Sequence, residues 1–149
     1  MFSGNSDIIV TPQNFTVKFD QTGLPSNNLT VVCTPPAENN IKGVTFIQLR
    51  KRRSNEQHDT PVATATPDIN GGYPVREVGL DNRDHSLSGE VSAKNPMESF
   101  LRVEFHDASC IDEGDFECRI HFYRDGARQR EVNYGTASVT TRCKYHVHS

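Results

Sequence analysis

The chain is 149 residues long, 34% hydrophobic, 23% charged and 8% aromatic, with four cysteines and no tryptophan. That is one domain's worth of chain, able to bury roughly two thirds of its unfolded surface, and the composition excludes collagen, coiled coil and a disordered tail. Sixteen Lys plus Arg against nineteen Asp plus Glu leave a net charge of −3, too mild for a binder of polyanions, so no nucleic-acid partner is expected. No run approaches the roughly 20 apolar residues of a membrane helix. The opening Met1-Phe2-Ser3-Gly4-Asn5-Ser6-Asp7 has neither the basic nor the apolar part of a secretion signal. Met1 reads as an added start, which would place a native leader and any membrane anchor outside these residues.

Helical periodicity is nearly absent, while short alternating runs separated by Gly, Pro, Asn and Asp recur along the whole length, the pattern of an all-β protein. Residues 8–10 and then 15–19, with Phe15, Val17 and Phe19 on one side, predict a first strand that Pro12 breaks or offsets at an edge. Residues 29–33 put Leu29, Val31 and Cys33 on one face before Pro35-Pro36 ends the strand, and 43–50 is a third. From 50 to 99 the pattern blurs through a polar stretch at 53–59, a short run at 62–65 and a turn at Asn70-Gly71-Gly72. A strand at 86–93 and a tight connection at 94–98 follow, then a strand at 101–105 with Leu101, Val103 and Phe105 at period two. Residues 116–122 alternate best, with Phe116, Cys118, Ile120 and Phe122 inward. Arg124-Asp125-Gly126-Ala127 turns the chain into a last strand at 132–143. No internal repeat, low-complexity tract or linker interrupts this, so residues 1–149 read as a single domain with its core at about 8–143.

Cys33, Cys110, Cys118 and Cys143 permit three pairings. No CxxC occurs and the gap from Cys110 to Cys118 is too long for a zinc knuckle, so disulfides in an oxidising compartment are the expectation. Two acceptor sites for N-glycosylation, Asn14-Phe15-Thr16 and Asn28-Leu29-Thr30, point the same way, to an extracellular protein.

Catalytic chemistry finds no foothold. His146-x-His148 sits near the chain end without further ligands and reads as a frayed tail. His106-Asp107 and His58-Asp59 are adjacent, so in extended chain they point to opposite faces. No Gly-x-Ser-x-Gly, phosphate-binding loop or His-Glu-x-x-His occurs. No enzyme activity, metal or cofactor is expected. Two basic groups remain, Arg50-Lys51-Arg52-Arg53 and the set Arg124, Arg128 and Arg130 around the Asp125-Gly126 turn. They suit an acidic glycan or acidic partner, against the plainer reading of solvated strand ends.

Asp112-Glu113-Gly114-Asp115-Phe116-Glu117-Cys118 fits Asp-x-Gly-x-Tyr-x-Cys with phenylalanine in the tyrosine place, and here the chain resembles the immunoglobulin superfamily. Leu101-x-Val103-x-Phe105-x-x-Ala108 supplies the apolar rhythm that precedes the motif in that family. Ser88-Gly89 with Val91-Ser92-Ala93 looks like its strand D, and Gly135-Thr136-x-x-Val139 is similar to its bulged last strand. The resemblance runs from about residue 10 to 143. It implies an immunoglobulin-like β-sandwich of two antiparallel sheets with Greek-key connections, V-set-like because the cysteines of the core pair would stand 85 residues apart. In that arrangement Cys33 and Cys118 form the inter-sheet disulfide and Cys110 is left with Cys143.

The chain departs from the family pattern in four ways. No tryptophan is available for the third strand, so Phe46 or Ile47 must refill that core position, with Phe46 favoured on volume. Phe116 lacks the hydroxyl of the tyrosine corner. The arginine for Asp112 is displaced, leaving Arg83 or Arg76. The second cysteine pair is an addition.

Variable-type domains bind through loops, here residues 34–42, 48–65 and 123–133, or through the sheet face beneath them, where Arg119, His121 and Tyr123 point outward by parity with Cys118. The candidate binding surface is therefore Arg50, Arg52, Arg119, His121, Tyr123, Arg124, Arg128 and Arg130. The expected function is an extracellular recognition or adhesion domain of a cell-surface receptor, meeting another immunoglobulin-like domain. It is similar in this to the divergent variable-type domains of cnidarian allorecognition receptors, which bind like to like. The alternative is the immunoglobulin part of a secreted immune lectin, similar to molluscan fibrinogen-related proteins, contacting microbial glycans. A third class is a spacer that binds nothing itself.

Overall fold

The computed structural model describes residues 7–11, 28–53, 56–126 and 128–139. The run at 15–19, Asn14 and Cys143 lie outside them. Nine strands occur among the described residues: β1 (Asp7–Thr11), β2 (Leu29–Thr34), β3 (Ile41–Arg53), β4 (Thr60–Ala65), β5 (Val75–Arg76), β6 (His85–Glu90), β7 (Phe100–Phe105), β8 (Gly114–Arg124) and β9 (Glu131–Val139). The only helical pieces among them are three-residue 3-10 turns, one of which is the expected turn at Asn70–Gly72. The strands form two antiparallel sheets, in the orders β1-β2-β7-β6 and β5-β4-β3-β8-β9. The protein is an all-β sandwich.

Period-two alternation builds both inner faces. Leu29, Val31 and Cys33 of β2 pair with Phe105, Val103 and Leu101 of β7, and all six are buried. Opposite them stand Phe116, Cys118, Ile120 and Phe122 of β8, with Ile47 and Leu49 of β3 and Ala63 and Ala65 of β4. Each fully buried Leu, Ile or Phe stabilises the fold by roughly 1.5–3 kcal/mol. Cys33 and Cys118 are joined across the two sheets with their Cα atoms 5.8 Å apart, as the resemblance implies.

The expected core filler of the third strand is corrected. Ile47, not Phe46, occupies the core: Ile47 is fully buried opposite Ile120, while Phe46 is half-buried on the outer surface. The cause is a register shift between Val44 and Phe46 where β3 pairs with β8. A bulge inserts one residue and resets the alternation, so Val44 and Ile47 both face inward and Thr45 and Phe46 both face outward.

The Asp112–Phe116 corner closes one end of the sandwich. Asp112 is fully buried. Its carboxylate accepts two hydrogen bonds from Arg83, Nη2 at 2.7 Å and Nε at 3.2 Å, and one from the Ser109 backbone N–H at 2.9 Å. Of the two arginines that the sequence leaves open, Arg83 is therefore the partner. Lys51 Nζ lies 3.5 Å from the same carboxylate, over the rings of Phe105 and Phe116, and donates to the Ile111 carbonyl at 2.8 Å. Gly114 has φ +149°, and a Cβ there would stand 2.3 Å from the Arg52 carbonyl oxygen, so only glycine fits this close crossing of β8 and β3. Phe116 is buried against Phe105, ring centroids 5.9 Å apart.

Candidate functional site

The outer face of the five-stranded sheet collects most of the residues expected to bind. By register, Phe46, Gln48, Arg50 and Arg52 of β3 stand beside His121, Arg119, Glu117 and Asp115 of β8, and these beside Val132, Tyr134, Thr136 and Ser138 of β9. Arg119, His121 and Tyr123 point outward as parity with Cys118 demands.

The face has two unlike halves. Toward the end where the chain turns at Asp125 and Gly126 it is aromatic and apolar. The His121 ring lies on the Phe46 ring, centroids 4.4 Å apart and planes tilted by 31°. Val132, across from His121, is 39% exposed and Tyr134 is 49% exposed, with the Arg119 guanidinium 5.6 Å from the Tyr134 ring centre. Tyr123 covers Gly43 so closely that a Cβ there would come within 2.7 Å of its ring. Burial pushes the His121 imidazole below its ordinary pKa, and the charges of Arg130 and Arg119 lower it further, since both factors disfavour the cation.

The other half is a lattice of paired charges. Arg50 donates to Gln48 Oε1 at 2.9 Å and to Asp59 Oδ1 at 3.2 Å, and Gln48 donates to Thr64. Arg119 donates to Glu117 at 2.6 Å and lies 3.9 Å from Asp59. Arg52 donates to Asp115 at 2.9 Å, which also accepts from Ser138 at 2.7 Å. The hydrogen bond from Arg50, with the charges of Arg50 and Arg119, holds Asp59 below the usual carboxylate range. Ser138 and then Arg52 do the same for Asp115. Between these groups opens a polar cleft of about 440 Å³, lined also by Gln57, His58 and Thr136.

The basic residues therefore do not add up to a cationic patch. Arg50, Arg52, Arg119 and Arg124 each hold an internal carboxylate. Arg124 ties three segments together: it donates to Glu38, to Asn40 Oδ1 at 2.7 Å and to Glu131 at 2.7 Å, and both carboxylates raise its pKa. Arg128 and Arg130 are exposed beside this turn and have no ion pair among the described residues. Asn28 is exposed at the start of β2, its side-chain oxygen accepting from the Asp107 N–H at 3.3 Å. Cys110 lies in the Cys110–Asp112 turn, while its expected partner is outside the described residues. Among those residues no group of His, Cys, Asp and Glu is placed to hold a metal ion, and no helix is long and apolar enough to cross a membrane. The Cys33–Cys118 disulfide fits an extracellular or secreted domain.

Sequence reasoning missed Tyr134 and the outward turn of Phe46, and reached Val132 only as part of the 123–133 segment. Tyr134 faces out because its neighbour Gly135 takes the inward place across from Cys118.

No family model and no curated protein matches the sequence. Among solved structures, one reported as the structural basis of T cell specificity and activation by the bacterial superantigen toxic shock syndrome toxin-1 contains a similar chain. The similarity covers 91% of this chain and 98% of that one, at 15% identity and a TM-score of 0.54. At that identity it is a likeness of fold. As 722 chains of solved structures are similar, the architecture alone selects no function.

Proposed function

We propose that the protein is an extracellular recognition domain of the variable-type immunoglobulin class, displayed on a cell surface, that binds a protein partner through the outer face of the five-stranded sheet. The partner is a second copy of the same domain. The class is supported by the strand order, which is A-B-E-D in one sheet and C″-C′-C-F-G in the other if the strands are lettered in sequence. The disulfide between the second and eighth strands supports it too, as does the buried pair of Arg83 with the motif residue Asp112.

The observation that carries the binding surface is the apolar half in which exposed Tyr123, Val132 and Tyr134 surround the half-buried rings of Phe46 and His121. Strands about 4.8 Å apart and five residues long at about 3.4 Å each give this half an area on the order of 200 Å². That is well short of the roughly 800 Å² per partner of a stable complex, so contact must spread over the ion-paired half and the loops. Such a contact is weak singly and strong when many copies face each other, as on two apposed cells.

The test follows from that arithmetic. Beads densely coated with the chain aggregate, and Tyr134→Asp, at a position 49% exposed, disperses them without lowering the melting temperature. Wild-type beads that stay dispersed at the highest surface density would end the homophilic reading.

A second reading is a secreted immune lectin. The polar cleft at Arg52, Gln57, Asp115, Glu117, Thr136 and Ser138 supplies the alternating donors and acceptors that sugar hydroxyls need. Retention on a glycan array that Asp115→Asn and Thr136→Val both abolish supports it. An array that retains nothing removes it.

A further inference from the structure

We propose that the His121 ring is a proton-operated gate on the outer face: contact between two copies forms while the ring is neutral and is lost on mild acidification. This rests on the homophilic reading above and adds its regulation.

The geometry places the gate where the contact would close. His121 is on the central strand of the three that make the apolar half, its ring against Phe46 and its backbone paired with Val132. From β3 it is faced by the uncharged Phe46, with the Thr45 hydroxyl on its backbone carbonyl. From β8 come Arg119 and Tyr123. From β9 come Val132 and, preceding that strand, Arg130. The charges acting on the ring are thus the two arginines. The carboxylates of the adjoining positions are occupied, Glu117 by Arg119 and Glu131 by Arg124. A proton on the ring therefore gains no anionic neighbour in the free chain. In a closed contact it would be stripped of water between an aromatic ring and two cations, where an unpaired charge is costly.

Two carboxylates of the face do not respond in the same interval. Asp59 and Asp115 are held below the usual carboxylate range by their arginine and serine partners, so they keep their charge through mild acidification. Histidine is the residue whose charge changes there. Each His121 that must stay neutral weakens the contact by about tenfold per pH unit below its own free-chain pKa, and a symmetric pair contains two.

The experiment measures the surface density of chain that beads need to aggregate, between pH 7.4 and pH 5.0. The required density should rise at least tenfold on acidification for wild type and for His58→Gln. It should stay flat for His121→Phe, which keeps a neutral ring on Phe46, and for the smaller His121→Gln should any aggregation persist. Circular dichroism at both pH values confirms the fold. Wild-type aggregation that is equal at the two pH values overturns the gate and leaves homophilic binding standing. A His121→Phe variant as acid-sensitive as wild type also overturns it. Beads that fail to aggregate at any pH overturn both.

Discussion

Asp112→Asn keeps the shape of the corner and removes one charge, and the structure says how much that should matter. The carboxylate is fully buried. It holds Arg83 through two hydrogen bonds, with Lys51 at 3.5 Å on its other side. Burial lowers the Lys51 pKa, and the Arg53 and Arg83 charges add to this while Asp112 opposes them. Without that opposing charge, two cations face each other with little water. Breaking one partner of a buried pair costs about 3–5 kcal/mol, and a domain of this length loses about 3–4 °C of melting temperature per kcal/mol, so a drop of about 10 °C or more is expected. Arg52→Ala breaks a pair of nearly the same length, 2.9 Å, but both of its members are about half exposed. Such pairs are worth about 0.2–1 kcal/mol, hence at most about 4 °C. The assay is scanning calorimetry under oxidising conditions at neutral pH. Lys51→Met added to Asp112→Asn should recover part of the loss, because one uncompensated cation is gone, and the double-mutant cycle isolates that coupling. Equal, small drops for Asp112→Asn and Arg52→Ala would refute the view that burial sets the value of these pairs.

Replacing Cys33 and Cys118 together by alanine opens a loop of 85 residues and should cost about 4–5 kcal/mol on the chain-entropy scale, read from the urea midpoint. Gly114→Ala sets a Cβ 2.3 Å from the Arg52 carbonyl and should cost more than about 2 kcal/mol in the same assay. A midpoint unchanged by that substitution would mean the β3–β8 crossing is looser than described. Asp59 and Asp115 have folded pKa values below their unfolded ones. Their contribution is therefore present above the ordinary carboxylate range and is lost as pH falls through the depressed values. Melting temperature measured from pH 6 down to pH 2 should fall below about pH 4, with a shallower slope in Asp115→Asn. The effect should be small because both groups are largely solvated, and 1 M salt should shrink it further.

The inner face was legible in the sequence because burial writes a period of two. Leu29, Val31 and Cys33, or Phe116, Cys118, Ile120 and Phe122, can be read as facing one core without knowing which strands adjoin them, and all are buried. The third strand defeated that reading at one point. Alternation through Leu49 and Ile47 leads back to Thr45, yet the buried residue is Val44. Only pairing with β8 shows where the bulge falls. Volume favours Phe46, whereas the core position is taken by Ile47, whose pair Ile120 shares the core. Between 50 and 99, β5 and β6 are edge strands and β4 stands next to an edge, β5 being only two residues long. One-sided edges carry a weaker pattern than central strands, and the sequence there showed little more than the Asn70-Gly71-Gly72 turn.

The candidate site was harder to read because its charges cancel across long stretches of chain. Arg52 and Asp115 are 63 residues apart and Arg124 and Glu38 are 86 apart, so a run of basic residues looks uncompensated until the sheet is assembled. Once assembled, the arginines of the charged half already hold carboxylates within the molecule, and a partner that displaced those pairs would have to offset their desolvation and lost hydrogen bonds. The aromatic half has no such internal partner to give up. Phe46 reaches that half only because the bulge turns it outward. Tyr134 reaches it only because Gly135 takes the inward place beside Cys118. The residues turned outward by the β3 bulge and by the inward Gly135 are thus the two that enlarge the outer apolar surface. For this reason substitutions at Phe46 and Tyr134, rather than at the arginines, should separate binding from folding most cleanly.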